Sequence, residues 1–563
     1  MSVFEDILTS RGLTGRARDA FLNPSYDAKH DPYLLPDMEK AVERLVRAHE
    51  AQEKITIYGD YDIDGLTATT VLLDAFESFG FKNIDAFIPN RFVEGYGLTV
   101  DAVERIAATG AKLIVTVDCG SLSEKEIIRA AELGVDVIVT DHHNVAPVQP
   151  PAVAVINPKR LLVDNPDSYE QFLLKDDKNI YPFVDLAGVG VAFKLVQALQ
   201  SRLPGLPDGQ EKWLLDLVAL GTVCDIVTLV DENRANVYWG LKVMAKTKRP
   251  GLRALMAVSG VEPKKVNARS LGFGLGPRMN AAGRLETAQY ALDMLRAPDE
   301  VTALEKAELL DEMNRARRAE QDAIYKEAMI QAEVFADDPV LVLSAPGWNH
   351  GIIGIVAAKI LEKYKKPTYI LQEMGDDAKG SARSYGDFSA ADAIRASDDI
   401  ITKGGGHTFA AGVTLPTANI TAFRRRVNEF YRSKNLHNQQ ALLLPRADTS
   451  VSIDAVSEQL VELLASLEPF GSGNPQPVLH TDNVLVLSQR RMGADGQHVK
   501  LELQQNATSL QMLAFNAPQH FFVSPGEYVS VWYQPDINEW NGRTSVEGRL
   551  LHLESTPSER RNT

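Results

Sequence analysis

The chain has 563 residues, of which 45% are hydrophobic and 24% charged, and its formal net charge is −16. This length accommodates roughly three or four domains, and the composition is that of a soluble globular protein. No apolar run is long enough to cross a bilayer, and the first residues, MSVFEDILTSRG, lack a secretory signal pattern. Two cysteines, Cys119 and Cys224, exclude a disulfide framework. We therefore predict a cytoplasmic protein.

The negative net charge is relevant to whether the protein binds nucleic acid. Taken alone, a charge of −16 argues against nucleic acid, because phosphates are bound by Lys and Arg. Binding responds to local fields, however, and carboxylates that hold metal ions count as negative although bound ions would offset them. The net charge is therefore a caution and not an exclusion.

The first half of the chain alternates between apolar strand patterns and amphipathic helix patterns. A helix is predicted over Pro36–Gln52. Four strands follow in KITIYG, IDAFIPN, KLIVTVD and VDVIVTD, with helices over Thr67–Phe79, Thr99–Thr109 and Ser123–Leu133. This rhythm predicts an α/β fold with a parallel sheet covered by helices on both faces. A mostly helical stretch over Pro182–Val230 comes next.

The second half begins with a long charged helix pattern over Glu300–Phe335. A second α/β set follows in PVLVLSA, IIGIVAAKILEKY, PTYILQE and AKGSARS, and it ends in the glycine-rich stretch GGGHTFAAG. Beyond Pro445, short β-like runs predict a small antiparallel barrel or sandwich. We therefore expect five regions: an N-terminal helical region (1–50), an α/β domain (51–298), a connecting helix (299–336), a smaller α/β domain (337–444) and a β-rich domain (445–563).

The stretch YGDYDIDG places Asp60, Asp62 and Asp64 at alternate positions, where their charges repel. An EF-hand calcium loop begins with this pattern, but it needs a Glu at its twelfth position, which is Val71 here. It also needs a preceding helix, whereas KITIY predicts a strand. An EF-hand does not account for the cluster.

Acidic and histidine side chains also follow other predicted strands. Asp118 ends LIVTV, and Asp141, His142 and His143 end VDVIVT, while Asp225 lies in GTVCDIV after a predicted helix. Each alone is typical of a cap or turn. In an open α/β sheet, however, ligands bind outside the carboxyl ends of the strands. The three segments that follow strands, with Asp60–Asp64, Asp118 and Asp141–His143, therefore deliver their side chains to one edge of the sheet.

Carboxylates gathered at one edge repel one another unless a positive charge lies between them. Hard oxygen and nitrogen ligands suit Mn²⁺ or Mg²⁺, and three to four Asp with one or two His are enough for two ions that share a carboxylate. Two ions about 3.5–4 Å apart are suited to phosphoester hydrolysis, in which one generates hydroxide and the other stabilises the leaving oxygen. The pattern therefore predicts a dinuclear site.

Eight motifs carry a family resemblance. DYDIDG, PNRFVEGYGL, VTVDCG and TDHH resemble the ordered motifs of the DHH phosphoesterases. GPRMNAAGRL, GSARS, GGGHTFAAG and EPFGSGNPQP are similar to those of the bacterial members that degrade single-stranded DNA from its 5′ end. The resemblance runs from about Pro36 to Leu553. It implies a DHH catalytic domain, a DHHA1 substrate-binding domain and a C-terminal OB-fold β-barrel that binds single strands.

The resemblance implies six metal ligands: Asp60, Asp62, Asp64, Asp118, His142 and Asp225. Asp118 is expected to bridge the two ions, and the choice of ion for each aspartate of the first motif stays open. His143 is expected to face the scissile phosphate, which makes Asp118, His142 and His143 the catalytic residues. Asp141 is expected to fix a histidine tautomer by hydrogen bonding.

The resemblance also implies contacts with the DNA backbone or its 5′ end, through Arg91, Arg278, Ser381, Arg383 and His407. Arginine suits this task because its planar fork binds phosphate oxygens bidentately. In the barrel, most aromatic residues are expected in the core. The candidates there for stacking and backbone contacts are Arg490, Arg491, Lys500, Phe515, Trp532, Tyr533, Trp540 and Arg543.

The predicted function is a metal-dependent 5′→3′ exonuclease that hydrolyses single-stranded DNA to 5′-mononucleotides in DNA repair and recombination. The expected partner is a single strand with a 5′ end, candidate protein partners are a single-strand-binding protein and a helicase, and a monomer is expected. Two alternatives stay open. One is a DHH phosphodiesterase for short oligonucleotides or cyclic dinucleotides, and the other is a scaffold that has lost the metals.

Overall fold

The computed structural model describes residues 2–164, 179–436, 439–540 and 542–556. The chain forms two compact units. The first comprises Met1–Gly283, Thr287–Glu308 and Pro445–Thr563, and the second comprises Arg284–Glu286 and Leu309–Leu444. None of the described helices is long and apolar enough to span a membrane.

A five-stranded parallel sheet lies at the centre of the first unit. Its strands are β1 Ile55–Gly59, β2 Ile84–Phe87, β3 Leu113–Val117, β4 Asp136–Thr140 and β5 Ala154–Ile156, in the order β2-β1-β3-β4-β5. Ile55 pairs with Ile84 on one side and Leu113 on the other. β1 and β3 are buried along their whole length, as expected for strands covered on both faces. β5 is a strand that the sequence patterns did not predict.

Helices cover both faces of this sheet. Val100–Ala108 and Glu124–Glu132 pack with Ile114, Val137 and Val139 on one face. Ile63–Phe79 contacts β1, β2 and β3, and Gly188–Gln200 contacts β3 and β4. The predicted parallel sheet with two helical layers is confirmed.

The remaining helices of the first unit surround this core. Leu215–Cys224 packs against Ile63–Phe79, and Gly188–Gln200 also contacts Met38–Ala51. The other helices are Val3–Ser10, Gly15–Leu22, Arg160–Asp164, Asp231–Met244, Pro250–Val258, Gly276–Leu285 and Gln289–Leu295. The first two lie within the region 1–50 that was expected to be helical, although the patterns assigned no individual helix there.

The C-terminal part of the first unit is a β-barrel, which confirms the predicted OB fold. Its strands are β11 Thr449–Ser450, β12 Leu479–Met492, β13 His498–Gln505, β14 Thr508–Ala514, β15 Tyr528–Trp540 and β16 Arg543–Ser555. Pairing of β12 with β15 closes the sheet. The helix Glu458–Ala465 and the N-terminal residues Phe4, Ile7 and Leu8 belong to the same buried cluster as the barrel core.

The second unit contains a mixed five-stranded sheet. Its strands are β6 Leu341–Pro346, β7 Thr368–Met374, β8 Asp377–Arg383, β9 Lys403–Gly406 and β10 Ala410–Pro416, in the order β6-β7-β8-β10-β9. Its helices are Ile353–Tyr364, Ala390–Arg395 and Ile420–Ser433. The glycine-rich stretch GGGHTFAAG forms the antiparallel turn between β9 and β10. The predicted long helix spans Glu300–Val334, and its residues are divided between the two units.

Candidate metal centre

The carboxyl edge of the parallel sheet collects aspartates from three neighbouring strands. Asp60 follows β1, Asp118 follows β3 and Asp141 follows β4. All three are buried, with 1–2% of their surface exposed. Since β1 pairs with β3 and β3 with β4, the order of the strands alone brings these side chains to one edge.

Asp62 and Asp64 lie at the N-terminus of the helix Ile63–Phe79. Asp62 is the N-cap, and its Oδ1 accepts a hydrogen bond of 3.1 Å from the Gly65 amide. Asp64 accepts hydrogen bonds from the backbone amides of Gly188 (2.6 Å) and Val189 (2.9 Å). A carboxylate at a helix N-terminus is stabilised by such unpaired amides, so the second helix holds Asp64 in place.

Asp118 is held in an unusual backbone conformation. Its φ of 60° lies in the left-handed region that non-glycine residues rarely adopt. Gly188 packs directly against it, since a Cβ at Gly188 would lie 2.7 Å from Asp118 Oδ1. Strained residues of this kind cluster at functional sites, and the space beside Asp118 is reserved by the absence of a side chain at Gly188.

His142 joins the carboxylates. Its Nε2 lies 3.1 Å from Asp118 Oδ1, 3.5 Å from Asp225 Oδ2 and 3.8 Å from Asp64 Oδ2. Burial, helped by the neighbouring His143, lowers the pKa of His142 to about 3. The ring is therefore neutral near pH 7, which is the state in which imidazole coordinates a metal.

His143 is held by two partners. Its Nδ1 lies 2.9 Å from Asp141 Oδ1 and 3.1 Å from the Tyr96 hydroxyl. Burial lowers the pKa of His143, but the hydrogen bond and charge of Asp141 outweigh it and the net shift is upward. The His143 side chain is 37% exposed and that of His142 is 8%, so His143 is the one open to a substrate.

Asp141 has hydrogen-bond partners for both of its carboxylate oxygens. Its Oδ1 accepts from the amides of His142 (2.7 Å) and His143 (3.1 Å), and its Oδ2 accepts from the Ser121 amide (3.0 Å). Burial alone would raise the pKa of Asp141, but the hydrogen bond and charge of the His143 ring, the charge of His142 and the His143 amide hold it below its ordinary value. Asp141 is therefore an ionised positioning group.

Three ligand atoms are buried without any hydrogen-bond partner among the described residues: Asp60 Oδ1, Asp118 Oδ1 and His142 Nε2. Burying a polar atom without a partner costs about 1–3 kcal/mol, and more for a charged group. Atoms that carry such a cost and converge at one place fit a bound cation. The donor set of carboxylate oxygens and imidazole suits Mn²⁺ or Mg²⁺.

The pKa values show the same uncompensated charge. Burial, together with Asp62, raises the pKa of Asp64 to about 7, and burial with Asp64 raises that of Asp225 to about 9. Burial and like charges also raise the pKa values of Asp60 and Asp118 well above the ordinary range. These carboxylates would ionise together at neutral pH only with a cation among them.

The structure brings all six predicted ligands into overlapping groups. Ligand atoms of each of three triplets lie within 4.8 Å of one another. The triplets are Asp60–Asp62–Asp118, Asp118–His142–His143 and Asp64–His142–Asp225. Asp118 and His142 each belong to two triplets, so these two residues link the groups.

The predicted DNA contacts of the first unit are Arg91 and Arg278. The Arg91 guanidinium lies over the Tyr61 ring, 4.2 Å from its centroid, and its charge acts on Asp60. Arg91 Nε is buried and has no hydrogen-bond partner within the described part of the chain. Arg278 lies in the helix Gly276–Leu285 and donates to the Gly274 carbonyl at 2.7 Å.

The other predicted DNA contacts lie in the second unit. Arg383, on β8, donates to Ser381 Oγ at 3.2 Å and to the Ala382 carbonyl at 2.7 Å, and burial lowers its pKa. Both side chains face Gly354 in the first turn of the helix Ile353–Tyr364, where a Cβ would lie 2.9 Å from Ser381 Oγ and 3.1 Å from Arg383 Nη2. His407 follows β9 and is exposed.

The barrel candidates differ in exposure. Tyr533 is fully buried in the barrel core, whereas Phe515 is 64% exposed. The Trp532 ring contacts the rings of His480 and His552. The side chain of Trp540 lies outside the described residues.

Sequence reasoning missed two parts of the centre. Tyr96 lies within the quoted motif PNRFVEGYGL, but nothing in its spacing ties it to His143. The amides of Gly188 and Val189 hold Asp64 although they lie more than 120 residues away from it. The run AGVGVAF, with glycine where the helix begins, is the signal that was available for this close approach.

Family models match three parts of the chain. The DHH family N-terminal domain matches residues 54–222, the DHHA1 domain matches 337–433 and the RecJ OB domain matches 447–552. Together these matches cover the parallel sheet, the second unit and the barrel.

Curated relatives match almost the whole chain. A protein of Bacillus subtilis named single-stranded-DNA-specific exonuclease RecJ is 35% identical over 95% of this chain, which spans 66% of that relative. The Escherichia coli protein of the same name is 34% identical over 91% of this chain and 89% of its own length.

Solved structures of proteins with the same name also align with this chain. RecJ from Thermus thermophilus in complex with Mn²⁺ aligns with a TM-score of 0.81 and 28% identity, covering 99% of this chain and 76% of that one. An exonuclease RecJ bound to manganese aligns with a TM-score of 0.61 and 32% identity over 72% of this chain and 97% of that one. On the strength of its relatives, its three domain matches and its fold, the chain belongs to the RecJ family of DHH phosphoesterases.

Proposed function

We propose that this chain is a metal-dependent exonuclease that hydrolyses single-stranded DNA in the 5′→3′ direction to 5′-mononucleotides, in DNA repair and recombination. The observation that carries the proposal is the convergence of Asp60 Oδ1, Asp118 Oδ1 and His142 Nε2, buried and without hydrogen-bond partners among the described residues, at one sheet edge. The names of the B. subtilis and E. coli relatives support the choice of substrate.

Six residues would hold two divalent ions, Mn²⁺ or Mg²⁺: Asp60, Asp62, Asp64, Asp118, His142 and Asp225. When bound, such ions activate water and stabilise the leaving oxygen of a phosphodiester. Asp118 is proposed as the shared ligand because it belongs both to the triplet with Asp60 and to that with His142.

The chain's own residues then position the substrate. His143 is proposed to face the scissile phosphate, since its ring is open to solvent and Asp141 and Tyr96 fix its orientation. The hydrogen bond and charge of Asp141 raise the pKa of His143 and so favour the protonated ring, whose positive charge would lie beside a phosphate oxygen. Asp141 acts through His143 as a positioning residue.

The 5′ end of the strand is proposed to bind Ser381 and Arg383, with Arg91, Arg278 and His407 contacting the backbone. Arg383 supports this role because it is half-buried and its hydrogen bonds are to neutral oxygens of Ser381 and Ala382. A guanidinium bonded to neutral groups retains the charge that a phosphate requires.

The regions predicted at 51–298, 337–444 and 445–563 are proposed to divide catalysis, 5′-end binding and single-strand binding among them, with 1–50 as a helical region and 299–336 as a connecting helix. We further propose a cytoplasmic monomer that works with a single-strand-binding protein and a helicase.

The experiment is digestion of one DNA strand labelled at either end. With Mn²⁺, a 5′-labelled single strand should release its label at once as a mononucleotide, whereas a 3′-labelled strand should shorten progressively. EDTA should stop both reactions, and a blunt duplex of the same sequence should resist. Early release of the 3′ label, or equal digestion of the duplex, would contradict the proposal.

A further inference from the structure

A second concave site lies in the first unit. It is a cavity of about 930 Å³, and none of its lining residues belongs to the metal centre. Its walls come from three segments: residues 10–30, the start of the helix Asp231–Met244, and residues 446–448 with 473–475 beside the barrel. Small-molecule sites have volumes of about 300–1,000 Å³.

Arg234 is the most deeply buried arginine among the residues that line this cavity. It is 3% exposed, and its guanidinium lies 3.6 Å from the centroid of the Phe21 ring. It donates to three backbone carbonyls, those of Phe21 (3.0 Å), Glu468 (2.9 Å) and Pro469 (3.5 Å). No carboxylate pairs with it among the described residues, so its positive charge is uncompensated. Burial lowers the pKa of Arg234 to about 10, which leaves it charged at neutral pH.

Two further arginines line the same cavity. Arg11 binds Asp448 at 2.7 Å and Asn474 at 2.9 Å, but its Nη2 is buried and has no hydrogen-bond partner in the described part of the chain. Arg446 is exposed, and no ion pair is found for it among the described residues.

Each carboxylate that lines the cavity lies beside a basic side chain. Asp448 is paired with Arg11, Asp231 with His30 at 2.7 Å, and Glu232 with the buried Lys194. Of the other cations in the lining, Lys29 lies 3.8 Å from Glu211, so the surplus positive charge of the cavity is carried by Arg234 and Arg446. Anions are bound by groups of this kind.

Part of the remaining wall is apolar and aromatic, next to the polar residues Ser10, Asn23 and Ser25. Leu13, Phe21, Pro24, Tyr26 and Val230 line it. A ligand that fits both the arginine-lined part and the apolar part of the cavity has a flat or apolar body and an anionic group.

We propose that this cavity binds a nucleoside 5′-monophosphate, with its phosphate at Arg234 and Arg446 and its base against the apolar wall. The choice of a mononucleotide among amphipathic anions rests on the proposed function, because the proposed hydrolysis releases this class of molecule.

The cavity is joined to the metal centre by a short segment. Val230 and Asp231 line the cavity, and five residues before Val230 lies Asp225. The Leu229 amide donates to the Ser472 carbonyl at 2.8 Å, next to Gly473 in the cavity wall. A ligand there would therefore rest against both the loop that carries Asp225 and the segment that enters the barrel.

The test is equilibrium dialysis of labelled dAMP against the full-length protein in EDTA, so that nuclease activity plays no part. The background is Arg383→Ala, which removes the anion site of the second unit. The proposal predicts that one dAMP still binds, and that adding Arg446→Glu weakens it at least about tenfold, equivalent to about 1.4 kcal/mol. The control is Arg47→Glu, the same charge change at an exposed arginine on the helix Met38–Ala51, and it should bind as the background does.

Two further arms test the ligand class. Deoxyadenosine and inorganic phosphate should each bind at least about tenfold more weakly than dAMP, because each occupies only half of the site. Ala235→Leu, which narrows the cavity without changing charge, should also weaken binding, and its melting temperature shows whether the fold is intact.

Several results would overturn the proposal: equal affinity in Arg446→Glu and Arg47→Glu, equal affinity for dAMP and deoxyadenosine, or no effect of Ala235→Leu. Since none of these arms measures hydrolysis, their failure is distinct from a failure of the end-labelled digestion, which would refute the nuclease function itself.

Discussion

The ends of β3 and β4 lie side by side, and each is followed by a buried aspartate, yet the two aspartates are in opposite states. Asp141, after β4, accepts hydrogen bonds from three backbone amides and has a lowered pKa. Asp118, after β3, has an unpartnered Oδ1 among the described residues and a raised pKa. Burial is equal at the two positions, so the neighbours make the difference: the hydrogen bond and charge of His143 lower the pKa of Asp141, whereas the like charges of the other aspartates raise that of Asp118.

The comparison separates two roles that sequence alone does not distinguish. A buried carboxylate with all its bonds made is part of the scaffold, and it orients His143. A buried carboxylate without them is stable only when something outside the chain supplies positive charge. The following predictions test this distinction, from the largest expected effect to the smallest.

Asp118→Asn should abolish hydrolysis, with a loss of at least about a thousandfold in kcat, or about 4 kcal/mol, because the shared metal ligand is gone. The same change should raise the melting temperature in EDTA at pH 8, since it removes a buried charge from among like charges. Nuclease assays and thermal melts check the two effects. A variant that is inactive but less stable than the wild type in EDTA would contradict the conclusion that Asp118 is an uncompensated buried carboxylate.

Asp141→Asn should have the opposite effect on stability. An amide cannot replace a carboxylate that accepts from three backbone amides, so the free energy of unfolding should fall by about 1–3 kcal/mol. Activity should fall about 10–100-fold, the usual cost of losing a group that orients a residue of a metal site. Denaturant unfolding measures the change in stability. An increase in stability would show that the hydrogen bonds of the Asp141 carboxylate do not stabilise the fold.

Arg383→Ala should lower kcat/KM on 5′-phosphorylated single strands by about tenfold, since a hydrogen bond to a charged group contributes about 1.5–3 kcal/mol. The rise in melting temperature on adding Mn²⁺ should be unchanged. Lys379→Ala, at an exposed position on the same strand, is the matched control and should leave kcat/KM as it is. Loss of the Mn²⁺ effect in Arg383→Ala would place this residue in the metal centre instead.

Tyr96→Phe should have the smallest effect, a decrease of a few-fold in kcat, because one hydrogen bond to His143 is lost while that of Asp141 remains. The pH profile of kcat checks it. A loss as large as that of Asp141→Asn would mean that Tyr96, and not Asp141, sets the orientation of His143.

Much of the fold followed from local sequence patterns. β1, β3 and β4 are continuous apolar runs, and the helices between them carry amphipathic spacing, so the parallel sheet and the convergence at its edge were predictable. β5 was missed because Ala154–Ile156 is only three residues long. Residues 1–50 were expected to be helical, but the helix Val3–Ser10 was not assigned, because the surface that stabilises it lies in the barrel, more than 440 residues away in sequence.

That helix determines the expected result of removing the barrel by a cut near Arg446. The structure shows Phe4, Ile7 and Leu8 buried with the barrel residues, so such a cut would expose them to water. Substitution of the exposed Phe515 is the cleaner way to weaken single-strand binding without unfolding the barrel.

For the candidate metal centre, the residue types were predictable from the sequence. Which of their carboxylates have hydrogen-bond partners was not. The motifs named Asp118, Asp141 and His142, but the amides of Gly188 and Val189, which hold Asp64, come from a helix far along the chain. Which carboxylate is satisfied depends on these long-range contacts. Hydrogen bonding of this kind is set by packing and leaves little trace in local sequence.

The most direct test of the central claim, that uncompensated carboxylates at this edge hold divalent cations, is the melting temperature between pH 7 and 9 with EDTA or with Mn²⁺. The folded pKa values of Asp64 and Asp225, about 7 and about 9, lie above the ordinary 3.8. The folded chain therefore binds more protons than the unfolded chain, and stability in EDTA should fall as the pH rises. His142, with its lowered pKa, has the opposite effect only below about pH 6.5. Mn²⁺ should raise the melting temperature and remove the fall, whereas a flat curve in EDTA that Mn²⁺ leaves unchanged would contradict the account.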